Sequence, residues 1–149
     1  MMVPGTKLRP VEILLVEDNP VDVMMTKEFF SSGRICNNLH AVEDGEEAMD
    51  FLYKRGEYSA APSPDVILLD LNLPRKDGRE VLAEVKGDPS LRQIPVIVLT
   101  TSEDQEDILS SYENAANCFI TKPVNMEQFT DVLKCIGDFW FAVVQLPEQ

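Results

Sequence analysis

Four short stretches of this chain carry side chains that could do chemistry together: Glu17-Asp18, Asp70, Thr100 and Lys122. Asp70 stands out first, because it interrupts the apolar run Val66-Ile67-Leu68-Leu69-Asp70-Leu71. A single aspartate there is accounted for as a helix cap or loop start. Glu17-Asp18 alone could be a helix-dipole cap, and Lys122 alone a solvated lysine. Brought together, they read differently. Crowded carboxylates each make ionisation of the others more costly unless a cation joins them. Hard oxygen ligands in such a cluster suit Mg²⁺, which keeps several waters and takes few protein carboxylates. Asp70 would then be a nucleophile for a phosphoryl group, with Lys122 supplying a cation and Thr100 a hydroxyl donor. Asn72, two residues on, could add its backbone carbonyl to the metal shell.

The elements needed to bring these residues together are visible in the apolar pattern. Val11 to Val16 and Pro95 to Leu99 are short, nearly continuous apolar runs, as is Val66 to Leu69, and such runs suit strands buried on both faces of a parallel sheet. Leu39 to Val42 and Cys118 to Ile120 are shorter candidates. Between them lie helical segments. One runs from Pro20 to about Ser32, capped by Asp18 or Asn19 and stopped by Gly33. A second opens at Asp44-Gly45 and ends near Gly56, and a third spans Arg79 to Lys86. A fourth starts after Ser102 and reaches about Asn114, and a last begins near Asn125. Glu57 to Pro64 reads as a polar loop. Strands alternating with helices imply βαβ units, hence an α/β domain with a parallel sheet covered by helices on both faces. Every strand of a parallel sheet ends at the same edge, so Glu17, Asp18, Asp70, Thr100 and Lys122 converge where open α/β sheets place their binding crevices.

Composition narrows the function classes. The chain has 149 residues, 44% hydrophobic and 26% charged, enough for one domain with a core. Its 26 acidic and 13 basic residues give a net charge of −13, which disfavours nucleic acid and anionic membrane as partners. Cys36, Cys118 and Cys135 are spaced like neither a metal site nor a disulfide framework, and read as reduced, mostly packed thiols in a reducing, cytoplasmic setting. No signal peptide or membrane-length apolar run is read.

Glu17-Asp18, Asp70, Asn72, Pro74, Gly78, Thr100 and Lys122-Pro123 resemble, in type, order and spacing, the receiver domain of two-component response regulators. The resemblance spans about Val11 to Gly137. It implies a flavodoxin-like, doubly wound five-stranded sheet of order 2-1-3-4-5. It implies that Asp70 is the phosphoacceptor, Asp18 a direct metal ligand, Glu17 a ligand through water and Asn72 a carbonyl ligand, for Mg²⁺ or alternatively Mn²⁺. Thr100 and Lys122 would bind the phosphoryl group, and Phe119 would be the aromatic whose rotamer follows Thr100. The donor would be a phosphohistidine on a partner kinase; His40 matches no family role and reads as a surface or strand histidine. The stretches Asn72 to Lys86, Val98 to Ser102, Gly56-Glu57-Tyr58 and the Phe139-Trp140 tail further resemble single-domain regulators paired with bacterial, especially cyanobacterial, phytochrome histidine kinases. Partner choice would lie on Val21, Met24, Met25 and Val124. Such a protein signals and is not an enzyme acting on external substrates.

Residues 1–10 read as a loose arm, 11–137 as the receiver and 138–149 as an apolar extension. Apolar residues recur at helical spacing from Met126 to Val144, and a helix over that span would be roughly 28 Å long, more than the sheet covers. Phe139, Trp140, Phe141, Val143, Val144 and Leu146 therefore read as an interface for a homodimer, with folding back on the same domain as the alternative. A constitutive binding module that never uses Asp70, a relay intermediate and a Mg²⁺-dependent phosphatase are the competing functions. The last would want a second acid and a substrate cap, neither of which is visible.

Overall fold

The computed structural model describes residues 10–32, 36–100 and 118–121, together with Glu127. The elements, in chain order, are β1 (Val11–Val16), α1 (Pro20–Ser32), β2 (Asn37–Val42), α2 (Gly45–Tyr53), a 3-10 turn (Gly56–Tyr58), β3 (Val66–Asp70), α3 (Gly78–Gly87), β4 (Val96–Thr100) and β5 (Cys118–Thr121).

The strands pair in the order β2-β1-β3-β4, all parallel. Beyond β4, the backbone of β5 runs parallel to it, with Cys118 opposite Ile97 and Thr121 opposite Thr100. β3 is buried at every position, as its unbroken apolar run requires. Alternate side chains serve opposite faces. Leu14, Val16, Ile67, Leu69 and Val98 pack with Met49, Phe51 and Leu52 of α2 and Val81, Leu82 and Val85 of α3. Ile13, Leu15, Val66, Leu68 and Leu99 pack on the other side with Phe30, Val23 and Phe29 of α1. Helices thus cover both faces, and each fully buried Leu, Ile or Val contributes roughly 1.5–3 kcal/mol.

Caps set the helix starts. Asn19 Oδ1 accepts from the N–H groups of Val21 (2.9 Å) and Asp22 (3.1 Å), with Pro20 in the first helical position where its missing N–H costs nothing. Asp44 Oδ1 accepts from Glu47 N at 2.8 Å to start α2. The N–H of Asp77 donates to Glu80 Oε1 at 2.9 Å ahead of α3.

Four expectations need correction. α2 ends at Tyr53, short of Gly56, because Lys54 adopts a left-handed backbone (φ 57°) and turns its N–H back to Asp50 and Phe51. The stretch after it is not a plain polar loop: Tyr58 packs its ring on Phe51, and its hydroxyl donates to the Glu47 carboxylate. Cys36, expected to be packed, is exposed. β2 also begins two residues earlier than its apolar pattern indicates, since Asn37 and Asn38 pair with Val11 and Glu12 in the parallel ladder, where Asn38 Nδ2 also donates to Glu12 Oε2 at 2.9 Å. The helices expected near Glu103 to Asn114 and from Asn125, Cys135, and the tail from Phe139 to Leu146 lie outside the described residues. Among the described residues no helix is long and apolar enough to cross a membrane.

Candidate metal centre

Register builds the site. Val16 of β1 lies opposite Leu69 of β3, so the residues that follow, Glu17 and Asp70, leave the sheet side by side. The N–H of Glu17 still reaches Val42 O of β2 at 3.0 Å, which carries the pairing one residue past the strand. One carboxylate oxygen each from Glu17, Asp18 and Asp70 falls within a 4.8 Å group. Glu17 is 1% exposed and Asp70 6%, whereas Asp18 is open to solvent. Buried carboxylates at this spacing are tolerated when paired, hydrogen-bonded or bound to a metal. An all-oxygen, anionic donor set with one solvent-facing member fits a hard divalent ion that keeps part of its water.

The surrounding chain aims these acids. Glu17 Oε2 accepts from Asn19 N at 3.3 Å, so the residue that caps α1 also touches the site. Asn72 N donates to Asp70 Oδ1 at 3.1 Å, turning the chain sharply after β3. Gly78 lets α3 begin against this turn, because a Cβ there would stand 2.3 Å from Asp70 O and 2.6 Å from Leu71 Cα. Its N–H donates to Leu71 O at 3.1 Å. An open cleft of about 480 Å³ adjoins the acids, lined by Glu17 and Asp18, by Val23, Met24 and Lys27 of α1 and by Glu43.

β4 delivers the next position. Leu99 lies opposite Asp70, and Thr100 follows it at the same edge. Thr121 lies opposite Thr100. The side chains of Thr100 and Phe119, and the whole of Lys122 and Val124, lie outside the described residues. His40, which matched no role, sits in β2 with Nε2 2.8 Å from Glu12 Oε1 and its ring beside Phe51, away from the acidic cluster. Val21, Met24 and Met25 are surface residues, as expected, at 57%, 61% and 44% exposure on the flank of α1.

Sequence reasoning missed the contacts that hold the turn after β3. Gly45, first residue of α2, lies directly against Lys76, and Arg75 Nε is 3.2 Å from Asp44 Oδ2. An Asp-Gly pair before a helix signals a tight start; nothing in it names a partner from a distant loop.

A parallel sheet of this order with three acids at the ends of β1 and β3 is the receiver arrangement. The response regulator receiver domain family matches residues 13–134, and the chain belongs to it: a signalling protein rather than an enzyme. Among individual proteins, it is similar to response regulator Rcp1 of Synechocystis sp., 47% identical over 138 residues, covering 93% of this chain and 94% of that one. The crystal structure of the phosphorylated cyanobacterial phytochrome response regulator RcpA is 47% identical, with a TM-score of 0.74 over 94% of this chain and 100% of that one. The Mn²⁺-bound form of Rcp1 gives 0.73 at 47% identity over 93% and 100%. The bacteriophytochrome response regulator AtBRR gives 0.83 at 41% identity over 95% and 99%.

Proposed function

We propose that this chain is a single-domain response regulator that takes a phosphoryl group onto Asp70, in a Mg²⁺-dependent reaction, from a histidine kinase of the phytochrome type. The observation that carries the reading is the grouping of Glu17, Asp18 and Asp70 within 4.8 Å at the end of a parallel sheet. Similarity across nearly the whole chain to phytochrome response regulators, one of them phosphorylated and one holding Mn²⁺, supports the partner class and the ion.

In this reading a carboxylate oxygen of Asp70 attacks phosphorus, the bond from phosphorus to the donor breaks, and the donor's leaving group departs with the electron pair. Asp18 would hold the divalent ion directly, with Asp70 beside it, Glu17 would act through water, and the Asn72 carbonyl would complete the protein's share. The ion's contribution when bound is to neutralise charge on the phosphoryl oxygens. Mn²⁺ serves in place of Mg²⁺. Thr100 and Lys122 then bind the phosphoryl group, and Phe119 turns with Thr100. A ligand shifts such a two-state equilibrium only through contacts that are better in one state.

The receiver spans 11–137 as a doubly wound five-stranded sheet of order 2-1-3-4-5, between an N-terminal arm (1–10) and an apolar C-terminal extension (138–149). Phe139, Trp140, Phe141, Val143, Val144 and Leu146 form a homodimer contact, and Val21, Met24, Met25 and Val124 take part in kinase choice.

The test is the intact mass of wild type and Asp70→Asn after incubation with acetyl phosphate or a phytochrome-type kinase, with and without Mg²⁺, and size-exclusion chromatography alongside. One phosphoryl group added to wild type alone, and only with Mg²⁺, is the expected result. No adduct from either donor would leave a constitutive binding module as the function. A change of elution volume on phosphorylation would make the dimer phosphorylation-dependent.

A further inference from the structure

The turn that follows Asp70 is gripped by an element that has no part in the acidic cluster. Asp44 uses its two carboxylate oxygens for two jobs: Oδ1 accepts from Glu47 N at 2.8 Å to cap α2, and Oδ2 lies 3.2 Å from Arg75 Nε. Next in sequence, Gly45 is buried against Lys76 so tightly that a Cβ would stand 2.1 Å from Lys76 O, 2.7 Å from its Cβ and 2.8 Å from its carbonyl carbon. Two of those three atoms are backbone, so no side-chain rotation relieves the clash. Arg75 itself holds a left-handed backbone, φ 62°, which L-residues adopt reluctantly. Lys76 Nζ is fixed from the other side by Glu84 of α3 at 2.7 Å. The same turn carries the Asn72 N–H that donates to Asp70 Oδ1.

We infer that Asp44, Gly45, Arg75 and Lys76 form a brace between the start of α2 and the turn after β3, and that this brace sets the site's affinity for its divalent cation by positioning Asn72 and, through it, the Asp70 carboxylate. The inference rests on the proposed reading of Glu17, Asp18 and Asp70 as the cation site. These four are positioning residues. Groups that orient a metal's ligands characteristically change affinity by about 10–100-fold when removed. Gly45 carries most of the effect, since its contact is buried and rigid. The Asp44–Arg75 pair is half in solvent and contributes the smaller share.

Charge offers a discriminating sign. Acting only through space, Asp44→Asn removes a negative charge and weakens cation binding, while Arg75→Ala removes a positive one and strengthens it. Acting through the brace, both weaken it. The asparagine retains an Oδ1 acceptor for the α2 cap, so its helix start survives.

The experiment is a Mn²⁺ titration of the full chain, followed by water-proton relaxation, on wild type, Gly45→Ala, Asp44→Asn and Arg75→Ala. Arg55→Ala, which breaks a surface ion pair with Asp50 elsewhere on α2, is the control. Metal-free melting curves are recorded for each. The expected result is a Mn²⁺ dissociation constant raised about tenfold in Gly45→Ala and about twofold in both Asp44→Asn and Arg75→Ala, with Arg55→Ala unchanged. At saturating Mg²⁺ the rate of phosphorylation by acetyl phosphate returns to that of wild type in the same variants, which separates affinity from chemistry. Opposite shifts in Asp44→Asn and Arg75→Ala, or wild-type affinity in both, would overturn the brace. So would a lowered melting temperature with unchanged Mn²⁺ affinity in Gly45→Ala. If Gly45→Ala does not fold, the other two variants decide. A wild-type chain that binds no Mn²⁺ and takes no phosphoryl group would instead overturn the function on which the brace depends.

Discussion

Among the described residues Glu17 occupies the most demanding position: a carboxylate almost wholly out of water, beside two others. Without a cation, repulsion among the three opposes folding. Glu17→Gln removes one charge while leaving an oxygen that can still accept from Asn19 N. The expected outcome is a metal-free protein stabilised by about 1 kcal/mol, and a much smaller gain from Mg²⁺, both read from urea unfolding curves. Gly78 gives a prediction of opposite sign. Alanine there must displace Asp70 O and Leu71, which are main-chain atoms, so Gly78→Ala should destabilise the fold by about 1–3 kcal/mol. A midpoint shift at constant slope in the same unfolding assay would show it, and a variant as stable as wild type would mean that α3 can move off the strand end freely.

At the scale of elements, the helices on the α2–α3 face are tied by tyrosines as well as by packing. Tyr53, at the end of α2, donates to the carboxylate of Asp88, just after α3. That bond raises the Tyr53 hydroxyl from 10.0 to about 12, and it holds Asp88 below the usual carboxylate range, helped by the hydroxyl and N–H of Ser90. For a tyrosine whose folded pKa is raised, the stabilisation is complete below pH 10 and is lost as pH climbs to about 12. For the lowered Asp88, it is complete above the ordinary carboxylate pKa of 3.8 and lost as pH falls through the folded value. Tyr53→Phe should therefore melt below wild type at neutral pH, with the gap closing above pH 10 and again in acid. A gap independent of pH would mean that Tyr53 acts through packing alone. None of this pairing was legible beforehand, because a tyrosine at the end of a helix carries no sign of the carboxylate it will meet. Tyr58 and Glu47 are alike in this; burial first, and that bond second, raise the Tyr58 hydroxyl. What was legible follows from burial. β1 and β3 lie inside the sheet, so their apolar runs ended where the strands end, and their first polar residues announced Glu17 and Asp70. The polar start of β2 concealed two of its residues. α1 has apolar residues on its solvent side, Val21, Met24 and Met25, as well as Val23 and Phe30 toward the sheet, which blurred its inward face.

For the whole molecule, a net charge of −13 means that any cation stabilises it somewhat by screening, so a Mg²⁺ effect on stability is informative only against a matched salt. Screening acts on all 26 acids alike, whereas a bound ion acts where Glu17, Asp18 and Asp70 meet. A ligand that binds only the folded chain adds RT ln(1 + [L]/Kd), about 1.4 kcal/mol at ten times Kd. For a chain of this size that corresponds to a rise in melting temperature of about 4 °C. Mg²⁺ should therefore raise the melting temperature of wild type by about that much beyond NaCl of equal ionic strength, and EDTA should reverse it. Asp18→Asn lowers the total charge by one part in thirteen, so the screening response should scarcely change, but it removes the solvent-facing member of the donor set. In that variant the Mg²⁺ and NaCl curves should coincide. Equal responses to the two salts in wild type would mean that the three acids are merely neighbours; a Mg²⁺ excess that survives Asp18→Asn would place the ion elsewhere on this acidic surface.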